Sequence, residues 1–177
     1  MTIPNLITTL RFILTPIFII YLLNDKLLSA LIVFIIAGLS DGIDGFLARA
    51  LNQKTNIGAY LDPLADKILL ISAFIVLPVK GLVPSWLAVI VISRDILILS
   101  GVSILFLIKE ELTIKPSILS KITTCFQLLT VFIVLSHPYF HSFLQFNIYL
   151  FWITSFVTTS SGLHYIYNWF QMIGEES

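Results

Sequence analysis

Six long apolar stretches set the terms for this chain. They run at roughly 5–23, 27–50, 57–78, 84–108, 117–136 and 145–170. A helix that spans a bilayer needs about 20 mostly apolar residues, and each stretch meets that length. The breaks between them carry turn chemistry: "LLNDK" at 22–26, "LNQKTN" at 51–56, "PVKGLVP" at 78–84, "KEELTIKP" at 109–116 and "SHPYFHS" at 136–142. A surface facing water could not be covered by this composition. The 177 residues are 58% hydrophobic and 11% charged, where soluble domains carry about 25% charged residues. The expected fold is all-α: a polytopic membrane protein of six transmembrane helices forming a single domain over 1–177. Helices are the favoured spanning element because lipid offers backbone groups no partners.

Charge fixes an expected orientation. An even number of spans puts both termini on one side, which collects Arg11, Arg49, Lys54, Lys109, Lys115 and Lys121. The other side collects Lys26 and Lys80. The positive-inside tendency places both termini in the cytosol. The formal net charge of zero gives no basic field for nucleic acid. Cys125 lies in the apolar run "TTCFQLLTVF", can form no internal disulfide, and reads as a small buried hydrophobe. The N-terminus lacks a basic start and an A-x-A-like cleavage site, so no signal peptide is expected. With one Arg before the apolar run it does not read as a transit peptide either. A bacterial inner membrane is the expected location, with a mitochondrial inner membrane as the alternative.

Against this background, the four carboxylates of "DGIDGFLARALNQKTNIGAYLDPLADK" stand out. At 100° per residue Asp41, Asp44, Gly45 and Ala48 share one stripe of the second helix. Gly58, Asp62 and Asp66 share a stripe of the third. A short loop makes the two helices antiparallel neighbours, so the acidic stripes can face each other near the cytosolic surface. An ionised Asp at mid-bilayer costs roughly 2.5–3.5 kcal/mol, and four of them repel one another. Arg49 and Lys67 are two positive charges against four negative. Divalent cations would supply the remainder, and all-oxygen ligands favour Mg²⁺ or Mn²⁺. Two such ions form the clamp used for in-line displacement at phosphorus. Structural polar contacts, or an ion site in a small ion-coupled carrier, are the alternatives. The clustering of the acids at one end and the absence of a repeat speak against a carrier. Gly45, Ala48 and Gly58 allow close approach of a helix or a ligand.

The stretch resembles the signature of the CDP-alcohol phosphatidyltransferase family, D-x2-D-G-x2-A-R-x8-G-x3-D-x3-D. Every fixed position and every spacer matches, from Asp41 to Asp66. The resemblance implies a six-helix fold, a homodimer, and transfer of a phosphatidyl group from a CDP-linked lipid to an alcohol. It implies two Mg²⁺ or Mn²⁺ ions on Asp41, Asp44, Asp62 and Asp66, with Asp66 also the catalytic base. Gly45, Ala48, Arg49 and Gly58 would line the CDP-lipid site, and the fixed fork of Arg49 suits phosphate oxygens. "PNLITTLR" resembles the family's P-N-x2-T-x2-R opening, placing Asn5, Thr8 and Arg11 beside the nucleotide. A capped helix start with a snorkelling Arg is the plainer alternative.

Two further stretches bear on the acceptor. "VISRDILILSG" puts Arg94 and Asp95 inside the fourth helix, and "IKPSILSKITTCFQL" puts Lys115, Ser117, Ser120, Lys121, Thr124 and Gln127 at the start of the fifth. They resemble the family branch whose donor is CDP-diacylglycerol and whose acceptor is phosphatidylglycerol. The alternative acceptor is glycerol 3-phosphate. Arg94, Lys115 and Lys121 are the candidate acceptor-binding residues. Arg94 serves equally as the structural partner of Asp95, and Lys121 as an interfacial anchor.

Overall fold

The computed structural model describes the backbone of residues 3–50, 56–108, 118–136 and 146–174, and the side chains of 10–40, 67–101, 118–136, 147–169 and 171. Among these residues the chain is all-helical, with no strand. The helices are α1 (Ile3–Leu23), α2 (Leu27–Ala50), α3 (Asn56–Val79), α4 (Ser85–Ile108), α5 (Ile118–Ser136) and α6 (Phe146–Gly174). The apolar stretches therefore mark the helices to within a residue or two, except that α6 continues to Gly174, past the end of its apolar run. Residues 171–173 carry no breaker, and the glycine is a natural stop. The chain divides into two compact units, residues 1–83 with 131–142, and residues 84–130 with 143–177.

In the first unit α1 packs against both α2 and α3. Two helix ends are closed in the same way. Asp25 sits in the left-handed region at φ 58°, with Lys26 N–H donating to Tyr21 O at 2.9 Å and Asp25 N–H to Leu22 O at 3.2 Å. Gly81 has φ 70°, with Leu82 N–H donating to Leu77 O at 3.0 Å and Gly81 N–H to Pro78 O at 2.9 Å. Both are Schellman caps, which satisfy the carbonyls a helix end leaves over. Lys80 joins the two ends. Its Nζ donates to Leu23 O at 2.8 Å and to Asp25 Oδ1 at 2.7 Å. With the Asp25 side chain 79% exposed this ion pair adds little stability, but it fixes the topology. The C-termini of α1 and α3 share one end with the N-terminus of α2, so α1 and α3 are parallel and α2 runs against both.

Each helix of this unit contributes an apolar stripe at 3–4-residue spacing. Thr15, Phe18 and Leu22 of α1 are buried, as are Ala30, Phe34 and Ala37 of α2 and Leu69, Ala73 and Leu77 of α3. The rings of Phe18 and Phe34 meet with centroids 5.8 Å apart.

In the second unit three contacts set α4 and α6 parallel. Trp86 meets Trp152 with centroids 5.1 Å apart, Arg94 bonds Ser161, and Trp169 lies over Gly101. A Cβ at Gly101 would sit 3.2 Å from the indole, so glycine permits the close approach there. α5 runs antiparallel to both, joined to α6 by a 2.8 Å bond between the hydroxyls of Thr130 and Thr154. Polarity in this unit is turned inside out. Arg94, Asp95, Thr123, Gln127, Thr130, Thr154, Thr158 and Ser161 are buried, while Ile96, Trp152 and Leu163 are exposed and Phe156 is 74% exposed. Cys125 is exposed rather than buried, on the same outward face as Ile122, Leu129 and Phe132. The inward face of α5 is the polar one, so the small apolar thiol goes outward. Among the described residues α5 is the one helix that is by itself long and apolar enough to cross a membrane.

Candidate active site

The core stripes of the first unit lead directly to the signature positions. On α2, the stripe of Ala30, Phe34 and Ala37 continues at the same spacing to Asp41, Asp44 and Ala48. On α3, the stripe of Leu77, Ala73 and Leu69 continues to Asp66, Asp62 and Gly58. On α1, the stripe of Leu22, Phe18 and Thr15 continues to Arg11, Thr8 and Asn5. All three series run away from the end that Lys80 ties together. Taking about 1.5 Å per residue along each helix from that end, Arg11, Asp41 and Asp66 lie at about 18–21 Å, and Thr8, Asp44 and Asp62 at about 22–26 Å. Topology and register thus bring four carboxylate positions and the N-terminal motif to one end of one unit, at matched depths, on the faces that continue the packed core.

Arg11 is the member of this set whose side chain is described. It is buried at 1% exposure, and its carbonyl accepts a 2.9 Å bond from Thr15 Oγ1. A guanidinium buried in an apolar bundle requires anionic or strongly polar company, so it is not a snorkelling surface arginine. The side chains of Asn5, Thr8, Asp41, Asp44, Gly45, Ala48, Arg49, Gly58, Asp62 and Asp66, and the whole of Lys115, lie outside the described residues. The donor chemistry nevertheless fits a hard divalent ion. Two helices each offer two carboxylate positions at paired levels, and Mg²⁺ and Mn²⁺ take oxygen ligands.

Arg94 belongs to the second unit. Its Nη1 donates to Asp95 Oδ1 at 2.7 Å, and its Nη2 donates to Ser120 Oγ at 2.7 Å and Ser161 Oγ at 2.8 Å. The guanidinium carbon lies 6.0 Å from the centre of the Tyr165 ring. One buried cation thereby ties α4, α5 and α6 together. The structural pairing with Asp95, one of the two roles its position suggests, is present. Lys121 is exposed, as an interfacial anchor would be. Ser161, Thr158 and Thr154 do not stand out in the sequence; the signal available was hydroxyl residues three and four apart on an otherwise apolar helix.

The buried pair gives a measurable expectation. Removing one member of such a pair strands the other charge, at a cost of about 3–5 kcal/mol. Asp95→Ala should lower the unfolding midpoint in detergent sharply, and Arg94→Met added to it should recover part of the loss. An Asp95→Ala protein as stable as wild type would show that the pair carries no such role.

The chain is similar to known proteins over most of its length. A sequence model of the CDP-alcohol phosphatidyltransferase family matches residues 1–160. The chain is 35% identical to the CDP-diacylglycerol–glycerol-3-phosphate 3-phosphatidyltransferase of Bacillus subtilis (strain 168), covering 94% of each chain. It is 34% identical to the cardiolipin synthase (CMP-forming) of Rattus norvegicus over 93% of this chain, and it spans 60% of that protein's length. A shorter match, 46% identical over 55% of this chain, is to the CDP-diacylglycerol–glycerol-3-phosphate 3-phosphatidyltransferase of Pseudomonas fluorescens.

Proposed function

Because the chain belongs to the CDP-alcohol phosphatidyltransferase family, we propose that it is a membrane-embedded cardiolipin synthase of the CMP-forming type. It transfers the phosphatidyl group of CDP-diacylglycerol to phosphatidylglycerol and releases CMP. The convergence of Arg11 with the four aspartate positions at one end of the first unit supports a single site for the CDP-lipid. Asp41, Asp44, Asp62 and Asp66 would hold two Mg²⁺ or Mn²⁺ ions, whose contribution when bound is to neutralise charge on the pyrophosphate. Asn5, Thr8, Arg11, Gly45, Ala48, Arg49 and Gly58 bind the CDP moiety, and the Arg49 fork grips phosphate oxygens.

Asp66 takes the proton of the acceptor's free primary hydroxyl, for which it must come within hydrogen-bond reach. The oxygen forms a bond to the phosphorus nearest the diacylglycerol. The bond from that phosphorus to the bridging oxygen breaks, and CMP leaves with the electron pair. Arg94, Lys115 and Lys121 serve the acceptor phosphate.

The choice of acceptor rests on the resemblance of "VISRDILILSG" and "IKPSILSKITTCFQL" to the branch that uses phosphatidylglycerol. Charge alone does not decide it, because Arg94, Lys115 and Lys121 would suit the phosphate of either acceptor. The end-to-end match with the Bacillus protein favours glycerol 3-phosphate as the second reading.

The inverted polarity of the second unit supports an integral membrane protein. A polar seam inside and large apolar side chains outside suit lipid as the surrounding solvent. Six spans with both termini in the cytosol, one catalytic domain and a homodimer complete the proposal. The membrane would be a bacterial inner membrane or its mitochondrial counterpart. The deciding experiment supplies purified protein with CDP-diacylglycerol and either phosphatidylglycerol or glycerol 3-phosphate, and identifies the lipid by mass spectrometry. Cardiolipin in the first reaction is expected; phosphatidylglycerophosphate from the second, with no cardiolipin from the first, would replace the acceptor.

A further inference from the structure

Where α4 and α6 begin, the second unit carries a pair of exposed indoles. Trp86 is the second residue of α4, and Trp152 lies within two turns of the start of α6. Their rings meet with centroids 5.1 Å apart, yet Trp86 is still 40% exposed and Trp152 63%. Tyr149, one turn before Trp152, is 67% exposed. Among the described residues neither indole N–H is bonded to protein, and nor is the Tyr149 hydroxyl. The hydroxyl of Tyr167, far along α6, instead accepts a 2.9 Å bond from Gln171 Nε2. The surroundings of the three rings change along the helices. Towards the C-termini α4 exposes Val89, Ile96 and Leu99, and α6 exposes Ile153, Phe156 and Leu163. Neither helix exposes a Lys, Arg, Asp or Glu among its described residues. In the other direction α4 stops at Ser85, after the break "PVKGLVP". Three rings with free donors thus mark the level at which an apolar outer face ends. Trp and Tyr collect at such a level in membrane proteins, with the ring body against acyl chains and the N–H or O–H turned to the wet side. A protein partner would cover the rings and pair their donors in one fixed geometry. A bilayer asks only that rings from separate helices share one depth, which the stacked pair supplies.

We propose that Trp86, Trp152 and Tyr149 form an anchor for the glycerol-ester level of a phospholipid bilayer, donating their N–H and O–H groups to lipid ester carbonyls. This rests on the membrane-embedded reading above. In the six-span topology proposed there α4 and α6 begin on the non-cytosolic side, so the anchor belongs to the non-cytosolic leaflet. Because the two indoles touch and come from parallel helices, they set the depth of α4 and α6 together. Arg94, eight residues further along α4, then lies about 12 Å deeper, inside the hydrocarbon. A guanidinium at that depth needs polar company, and it has Asp95, Ser120 and Ser161.

The test reads depth from fluorescence. The chain has three tryptophans, so Trp169→Phe leaves the emission of Trp86 and Trp152 alone. The full chain is reconstituted in vesicles of phosphatidylcholine and phosphatidylglycerol that carry a nitroxide on the headgroup, beside the ester, or at the end of an acyl chain. Quenching should be strongest from the label beside the ester, weaker from the chain end, and slight from iodide in the water. Should Trp169→Phe fail to fold, the double variant Trp86→Phe, Trp152→Phe retains only Trp169, and its difference from wild type gives the signal of the pair. Vesicle-bound protein whose pair is quenched best from the chain end, or by iodide, would overturn the anchor alone. Protein that does not float with the vesicles would remove the membrane reading and the anchor with it. CMP release from CDP-diacylglycerol in the same vesicles reads the enzyme separately, so ester-level quenching without CMP would keep the anchor and remove the catalytic reading.

Discussion

Asp66→Asn is expected to reduce turnover by about 10²–10⁴-fold, the range that loss of a general base commands, while CDP-diacylglycerol still binds. The amide is nearly isosteric, so the stripe of α3 that runs from Leu77 through Ala73 and Leu69 should pack as before. What is lost is the capacity to accept a proton. Depth matters to the assignment. Asp66 lies about one turn closer than Asp62 to the end tied by Lys80, at the level of Asp41 and Arg11. Three of the four acids suffice in principle to keep an ion, so the variant should separate binding from chemistry. The measurement is CMP release under single-turnover conditions beside equilibrium binding of the CDP-lipid. A fully active Asp66→Asn protein would remove the base; a protein that loses binding and turnover together would make Asp66 a ligand first.

Stripping divalent ions is expected to have the second large effect, and a different one. In the proposed site, four carboxylate positions at paired depths, with the buried Arg11 at the level of Asp41 and Asp66, would leave an excess of negative charge where the pyrophosphate is to sit. Without cations such a site would repel its proposed substrate. Excess chelator should therefore abolish CDP-lipid binding as well as turnover, and Mg²⁺ or Mn²⁺ should restore both. Activity that persists in chelator would leave Arg11 and Arg49 as the sole counter-charges and rule out the paired-ion arrangement.

How far the sequence foretold this molecule depends on the kind of signal. The helices were legible because apolar runs near bilayer length were separated by "LLNDK" and "PVKGLVP", whose Asp25 and Gly81 take the left-handed conformation that ends a helix. The acidic motif was legible because charge in an apolar span is expensive and therefore conspicuous. Matched depth was not, since it depends on the Lys80 bonds that tie α3 to the α1–α2 turn, a contact across 55 and 57 residues of sequence. The seam of the second unit was equally hidden. Threonine and serine pass in an apolar helix by bonding the carbonyl four residues back, as Thr123, Thr124 and Thr130 do, so their inward stripe has little signature in composition. Cys125 shows the converse: its apolar setting suggested burial, but in this bundle the apolar face of α5 is the outer one.

Aspartates of α2 and α3 are proposed to hold together the ions on which the CDP-lipid sits. Mn²⁺ titration followed by electron paramagnetic resonance tests this most directly, with purified protein and CDP-diacylglycerol. Two bound ions per chain are predicted, lost when Asp41 and Asp62 are both changed to asparagine in a protein that remains folded. Undiminished Mn²⁺ binding in that double variant, or no binding in wild type, would contradict the account.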